Sequence, residues 1–446
     1  MGRYFGTDGV RGIANDTLTL EMAFNIGRFL GNYAKEKLNK KIVIGKDTRL
    51  SSSMFENMIS TGICASGSDV YQIGYCSTPA LAYVGEHDDF SFAIMISASH
   101  NPYYDNGIKV FSNDGTKISE DLEALIESYM DNPKGIDYAV NENIGKIINY
   151  QEGLDHYRCW LKGLYSNRLD NYSVLLDCAN GSNSFIAYQL LLDLGCKVSV
   201  INDKPNGINI NNNCGSTHIE SLQKEIVKGN YDIGFAFDGD ADRVIAVDPK
   251  GNALNGDCIL FVLSKYLKQI GKLNNDTLVV TGYSNLGLHK ALNKYGIKTD
   301  IVDNGDKYVL ESMLKNNYGL GGEQSGHIII KKDCNFGDGL KSALCILETM
   351  SYYNTSIDEL VKELIIYPQL LVNVKVKDKN IVMNDIDILN EIKKIENELN
   401  DNGKILVRKS GTEPIVRVMV EAIDNETCKK NVDRVVHMIE SKDYVM

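Results

Sequence analysis

Asp238, Asp240 and Asp242 stand at alternate positions in Asp238-Gly239-Asp240-Ala241-Asp242-Arg243, directly after the apolar run 231–237. That run alternates into continuous apolar character and predicts a strand buried at its end. Three carboxylates crowded beyond a buried strand repel one another unless a cation lies among them. Hard oxygen donors at this density suit Mg²⁺ or Ca²⁺ better than zinc or copper. An EF-hand also opens with Asp at its first, third and fifth positions, but it needs Gly at the sixth and Glu at the twelfth, where this chain has Arg243 and Pro249. The plainer alternative is an acidic, solvated turn without an ion. Gly239 and the small Ala241, which let the backbone fold tightly, weigh against it.

A second reactive place is Ile96-Ser97-Ala98-Ser99-His100-Asn101-Pro102, again at the end of an apolar stretch. A serine at the carboxyl end of a strand, in a turn fixed by Asn-Pro, projects into a crevice. No GxSxG elbow occurs in the chain, which argues against a Ser-His-Asp hydrolase. Taken with the acidic turn, Ser99 reads as a hydroxyl that carries a phosphoryl group, bridged by the metal to the aspartates. Phosphoryl transfer depends on positioning and charge neutralisation, which one cation and Arg243 would supply in large part. Lys109, in Asn106-Gly107-Ile108-Lys109, reads as a proton shuttle, a phosphate ligand or a plain surface lysine.

Two further loops bear polar groups in useful order. In Gly321-Gly322-Glu323-Gln324-Ser325-Gly326-His327, Glu323 and Ser325 can pair with adjacent hydroxyls or an amine, as sugars are read. In Arg408-Lys409-Ser410-Gly411-Thr412-Glu413-Pro414, with Arg417 beyond, the Ser-Gly-Thr backbone can form an anion-binding nest and the arginines supply forked donors for phosphate. A capped turn with solvated arginines is the bland reading. No GK[ST] and no GxGxxG after a strand occurs, so this is not a nucleotide loop.

The bulk properties narrow the classes. The chain has 446 residues and a net charge of -12, from 47 basic and 59 acidic side chains. No basic block exists that could follow a nucleic acid, although a small phosphorylated substrate needs only a few local cations. Ten cysteines without a CxxC pair and seven histidines without ligand spacing fit a reducing interior and speak against a two-zinc phosphatase. Charged residues near the start and the lack of a long apolar run lead us to expect a cytoplasmic protein without membrane contact.

The elements that must hold these loops follow from periodicity. Helical spacing covers 19–38 and 51–67, and apolar strands lie at 41–45 and 92–96. A second set comprises strands 173–177 and 197–201, with a helix near 184–194, and ends at the triple-aspartate turn. A third comprises helices 257–270 and 286–295 with strands 278–282 and 298–302. After Tyr367-Pro368 the pattern changes to strands 370–376, 404–408 and 416–422, with helix 386–399 and a terminal helix. The alternation predicts an α/β protein: three consecutive α/β domains (1–150, 151–250, 251–367) with mixed, largely parallel sheets, and a smaller C-terminal α+β domain (368–446).

The four loops, in this order, resemble the α-D-phosphohexomutases, whose members carry a phosphoserine loop, a metal loop, a sugar loop and a phosphate loop, one per domain. The opening Tyr4-Phe5-Gly6-Thr7-Asp8-Gly9-Val10-Arg11-Gly12 also resembles the start of that family, and the likeness runs over essentially the whole chain. It implies four domains around a central cleft, catalytic roles for phosphorylated Ser99, His100, Lys109, Arg11 and Arg243, and one Mg²⁺ held by Asp238, Asp240, Asp242 and a phosphoryl oxygen on Ser99. Substrate contacts would come from Glu323, Ser325, His327, Arg408, Ser410, Gly411, Thr412 and Arg417, and the C-terminal domain would act as a lid. Within the family, the third and fourth loops are most similar to the branch that interconverts glucosamine 6-phosphate and glucosamine 1-phosphate. That branch works through glucosamine 1,6-bisphosphate and leads to UDP-N-acetylglucosamine. Mutases of mannose and glucose phosphates, and a non-catalytic sugar-phosphate sensor, are the rival readings; a homodimer is the expected assembly. Two departures stand out: Ala241 where glycine is common, expected to leave the ligands untouched, and Lys307 where relatives often have arginine.

Overall fold

In the computed structural model, residues 2–165, 169–331, 334–410 and 414–446 are described. The apolar runs become central strands, because a strand buried on both faces meets its backbone hydrogen-bonding needs by pairing on both sides. The first sheet holds β1 (Phe5–Gly6), β2 (Gly9–Ile13), β3 (Lys41–Lys46), β4 (Asp69–Tyr75), β5 (Phe92–Ile96), β6 (Asp105–Ser112) and β7 (Ile147–Asn149), in the order β1-β2-β6-β5-β3-β4-β7. The pairs β5–β3, β3–β4 and β4–β7 are parallel, while β6 turns back antiparallel to β5.

The second sheet holds β8 (Ser173–Asp177), β9 (Lys197–Ile201), β10 (Ile233–Phe237), β11 (Val244–Val247) and β12 (Ala253–Leu254), ordered β12-β11-β10-β8-β9. The third holds β13 (Thr277–Thr281), β14 (Lys298–Val302), β15 (Leu320–Gly322) and β16 (Ile328–Ile330), ordered β14-β13-β15-β16. A fourth, wholly antiparallel sheet is β17 (Gln369–Lys375), β18 (Gly403–Lys409) and β19 (Ile415–Ala422), with β19 in the middle. These are mixed sheets with helices, plus a smaller C-terminal α+β sheet, as the alternation predicts.

One arrangement repeats. β5, β10 and β15 each pair in parallel with a neighbour on one side and fold back into an antiparallel partner on the other. The turns that follow these three strands carry Ser99, the aspartates and Glu323.

Packing divides the chain into two units, Met1–Thr281 with Asp300–Val361, and Gly282–Thr299 with Lys362–Met446. In the first unit, Ile42, Ile44, Ile94 and Ile96 join Ile26, Leu30, Phe55 and Ile59 of helices Leu20–Lys37 and Ser52–Ala65 in one core. Each such side chain contributes about 1.5–3 kcal/mol on burial. In the second unit, helices Ile386–Leu399 and Asn425–Ser441 cover the antiparallel sheet through Ile388, Ile395, Val432 and Val435. The helix expected near 184–194 is instead a 3₁₀ turn, Ser182–Phe185, followed by the short helix Ala187–Asp193. Ser182, Asn183 and Ser184 favour caps and turns over a helix interior, so the helix starts late.

Candidate functional site

Ser99 takes a left-handed backbone (φ 53°) in the β5–β6 turn and is 1% exposed. Its Oγ donates to Asp238 Oδ2 at 2.7 Å, and the two residues are 139 positions apart in the chain. The acceptor opens the β10–β11 turn. That turn is closed by Ala241 N donating to Asp238 O (3.1 Å), with Ala241 itself left-handed at φ 59°. A glycine would be unstrained there. The alanine leaves the three carboxylates gathered, as expected. Gly181 supports the turn from beneath: Ser182 N donates to Gly239 O at 2.9 Å, and a Cβ on Gly181 would stand 2.4 Å from the same oxygen.

Asp238, Asp240 and Asp242 are all buried, and one ligand oxygen from each lies within 4.8 Å of the others. Asp240 Oδ1 and Asp242 Oδ1 have no hydrogen-bond partner. Burial, then the charges of Asp242 and Asp240, push the Asp238 carboxyl well above the usual carboxylate range. Burial would raise Asp240 as well, but the Lys109 ammonium outweighs it and holds that carboxyl at about 2. Buried oxygens without partners, on carboxylates that repel one another, are the donor set a hard divalent cation requires, so the residues present fit Mg²⁺.

Cations frame this trio. Lys109 projects from β6, opposite Met95 of β5, and its Nζ lies 2.7 Å from Asp240, 3.0 Å from Asp8 and 3.5 Å from Asp242. Burial works against its charge, yet these carboxylates keep it firmly protonated. Lys109 is therefore a fixed ammonium at the site, 1% exposed, and not a surface lysine. Arg11 on β2 pairs with Asp8 and donates to Ala98 O at 3.4 Å, one residue before Ser99. Arg243 N donates to Asp238 Oδ1 at 3.2 Å, and its Nε lies 3.8 Å from Asp242. His100 Nδ1 is 3.3 Å from Ser99 Oγ. Burial, then Arg243 and Arg11, lower its imidazole to about 4, so it is neutral at neutral pH.

The sugar-loop residues come to the same place in part. Arg243 and His327 form a β-bridge, and Val244 N donates to Gly326 O at 3.0 Å, so the β15–β16 turn is tied to the β10–β11 turn. Glu323 Oε1 accepts from Gly305 N at 3.2 Å. His327 is 5% exposed with Nδ1 unpartnered, while Ser325 is exposed at the tip. A cavity of about 520 Å³ is lined by Asp8, Thr78, Lys117, Asp242, Asp306 and His327 among others. That is ample for a small polar ligand.

Arg408, Ser410 and Arg417 belong to the second unit. β18 and β19 place Arg408 directly opposite Arg417, and Ser410 N donates to Ile415 O at 2.8 Å across the mouth of the hairpin. Arg417 Nε has no partner. Gly411 and Thr412 lie outside the described residues.

Sequence reading passed over three members of the site. Thr78 donates to Asp240 Oδ2 at 2.6 Å. Lys117 bridges Asp8 (2.9 Å) and Asp306 (2.7 Å). Asp306 precedes Lys307, whose Nζ pairs with Glu120 at 2.5 Å. Asp8, beside Arg11 in a Thr-Asp-Gly turn, was the available signal; nothing local marks Thr78 or Lys117.

Four domain families match the chain in order, described as phosphoglucomutase/phosphomannomutase, alpha/beta/alpha domain I (residues 2–135), domain II (150–251), domain III (255–366) and C-terminal domain (371–438). The chain is 48% identical to the phosphoglucosamine mutase of Lachnoclostridium phytofermentans over 446 residues, covering 100% of both. A phosphoglucomutase/phosphomannomutase family protein from Burkholderia thailandensis has a similar fold, with TM-score 0.83 at 20% identity over 99% of this chain and 98% of that one. So does Aspergillus fumigatus N-acetylphosphoglucosamine mutase in complex with GlcNAc-6P and magnesium, with TM-score 0.73 at 18% identity over 99% and 96%.

Proposed function

The chain belongs to the phosphoglucomutase/phosphomannomutase family, the α-D-phosphohexomutases, and on that footing we propose that it interconverts glucosamine 6-phosphate and glucosamine 1-phosphate. Ser99 carries the phosphoryl group. The observation that carries this reading is the hydrogen bond from Ser99 Oγ to Asp238, which sets the acceptor hydroxyl against the carboxylate trio from another sheet.

In the reaction, the P–O bond to Ser99 Oγ breaks as a bond forms to the free hydroxyl of the sugar monophosphate, giving glucosamine 1,6-bisphosphate. The proton that the sugar hydroxyl loses is matched by the one that Ser99 Oγ takes up as its bond to phosphorus breaks, and the restored Oγ–H hydrogen-bonds to Asp238. The bisphosphate turns end for end, and its other phosphate returns to Ser99. Mg²⁺, held by Asp238, Asp240, Asp242 and an oxygen of phosphorylated Ser99, would offset the charge of the transferring group. Lys109, Arg11 and Arg243 add fixed positive charge beside the reacting oxygens, and His100, neutral and within reach of Oγ, can hold a proton there. Glu323, Ser325 and His327 read the sugar's hydroxyls and amine, and Arg408, Ser410, Gly411, Thr412 and Arg417 take the phosphate that is not reacting. The ten cysteines, all unpaired, suit a reducing cytoplasm.

A coupled assay with glucosamine, glucose and mannose 6-phosphates tests the assignment. Glucosamine 6-phosphate should give the highest kcat/KM, and Ser99→Ala should lose both turnover and the phosphoryl adduct seen by intact mass. Turnover retained in Ser99→Ala, or a preference for glucose or mannose, would overturn it.

A further inference from the structure

The guanidinium of Arg49 is entirely buried and makes five hydrogen bonds. Nε donates to Asp47 Oδ2 at 2.8 Å. The other four bonds go to carbonyls of one loop: Nη2 to Ser99 (2.9 Å) and Asn101 (2.8 Å), Nη1 to Asp105 (3.1 Å) and Pro102. A guanidinium has five N–H groups in a rigid fork, so its whole donor capacity is used on a single counter-ion and a single loop. Asp47 is fixed in turn, its Oδ1 accepting from Arg49 N (3.0 Å) and Ser52 Oγ (2.8 Å). From residue 211, between β9 and β10, Asn211 Nδ2 donates to two of the same carbonyls, Ser99 O at 2.8 Å and Asn101 O at 3.1 Å.

This grip falls on a strained point. Ser99 has φ 53°, a left-handed conformation that is strained for a residue with a Cβ. In that conformation its Oγ reaches Asp238 while its carbonyl accepts from Arg49 and Asn211. Left to itself, the loop would relax toward an ordinary backbone and swing the hydroxyl away.

We propose that Arg49 is a positioning residue for phosphoryl transfer: by holding four carbonyls of 99–105 it fixes Ser99 in the left-handed conformation that aims Oγ at the aspartates, with Asn211 as a second hold. The inference rests on Ser99 being the phosphoryl carrier. Arg49 touches none of the carboxylates that would bind metal and none of the sugar-loop residues, so its effect should appear in the chemical step and not in substrate binding. Lysine cannot replace it, since three donors on one atom cannot reach a carboxylate and four spread carbonyls.

The test compares wild type with Arg49→Lys, which keeps the charge beside Asp47, and with Asn211→Ala, which loosens the same carbonyls from the other side. Folded fraction is set by circular dichroism and melting. Per folded molecule, Arg49→Lys should lower kcat about 100-fold, the usual effect of roughly ångström misplacement, with KM within about twofold. Phosphorylation of Ser99 by glucose 1,6-bisphosphate, followed by intact mass, should slow in parallel, and Asn211→Ala should lower kcat about 10-fold. A purely structural role would lower the folded fraction and leave the rate per folded molecule unchanged. That result in Arg49→Lys overturns the inference; if that variant does not fold, an unchanged kcat in Asn211→Ala overturns it. Wild type that never acquires phosphoserine would defeat the reading of Ser99 itself, a distinguishable failure.

Discussion

At the scale of single residues, the site is a set of charges that are costly alone and compatible together. Asp238 is the extreme case: buried, raised by its two neighbours, and relieved only in part by Arg243 and by the hydroxyl of Ser99. Replacing it by Asn removes one repelling charge but leaves one acceptor for two donors, Ser99 Oγ and Arg243 N. Asp238→Asn should therefore melt within a few degrees of wild type in a metal chelator, while its turnover falls by at least about two orders of magnitude. Scanning calorimetry in the chelator, paired with the coupled assay, decides this. A clearly lower melting point would mean that the carboxylate is stabilising without metal, against the repulsion described here. The carboxylates themselves were legible in the sequence because alternate aspartates after a buried strand have few other uses. Their partners were not. Thr78 and Lys117 look like any threonine and lysine until the chain brings Asp240 and Asp306 beside them.

At the scale of elements, three turns share one topological position, the fold-back after a strand that is parallel on its other side. The strands themselves were readable from apolar runs: 92–96, 173–177, 197–201 and 298–302 appear with those bounds. Short strands such as β11, β12 and β16 were not foreseen, since a few residues of apolar character carry no periodicity to count. Yet those strands return the chain and fix the turns. The β15–β16 turn shows how tightly. Gly326 has φ 92°, and a Cβ there would lie 2.3 Å from Val244 O. Gly326→Ala should push the turn off β11, destabilise the fold by about 2 kcal/mol or more, and raise KM for the sugar phosphate through Glu323 and His327. Urea unfolding and steady-state kinetics read the two effects. A variant with unchanged KM would show that the turn's attachment to β11 does not set sugar binding.

At the scale of the whole molecule, the three aspartates proposed to hold a metal all lie in one unit. A cation that binds the folded site adds RT ln(1 + [L]/Kd), about 2.7 kcal/mol at a hundredfold excess over Kd. Mg²⁺ should slow amide exchange in peptides spanning β5–β6 and β10–β11, while peptides of β17, β18 and β19 exchange as before. Hydrogen exchange with and without Mg²⁺ gives the answer, and equal protection in both units would contradict a metal site built from the three aspartates. By packing, residues 282–299 group with residues 362–446, although the matched domain III runs over 255–366. Composition does not change at residue 282, so this grouping is a product of tertiary packing and carries no signal in the sequence.

Lys117 spans Asp8, near the start of the chain, and Asp306, about three hundred residues later. During synthesis the lysine and the first carboxylate leave the ribosome long before the second exists. A nascent chain short of the third sheet thus holds Ser99, the proposed phosphoryl carrier, without the turn proposed to read a sugar. On the proposed mechanism the protein cannot begin work by halves: with Arg417 among the groups that take the second phosphate, its first catalytic cycle has to wait until more than nine-tenths of the polypeptide has been made.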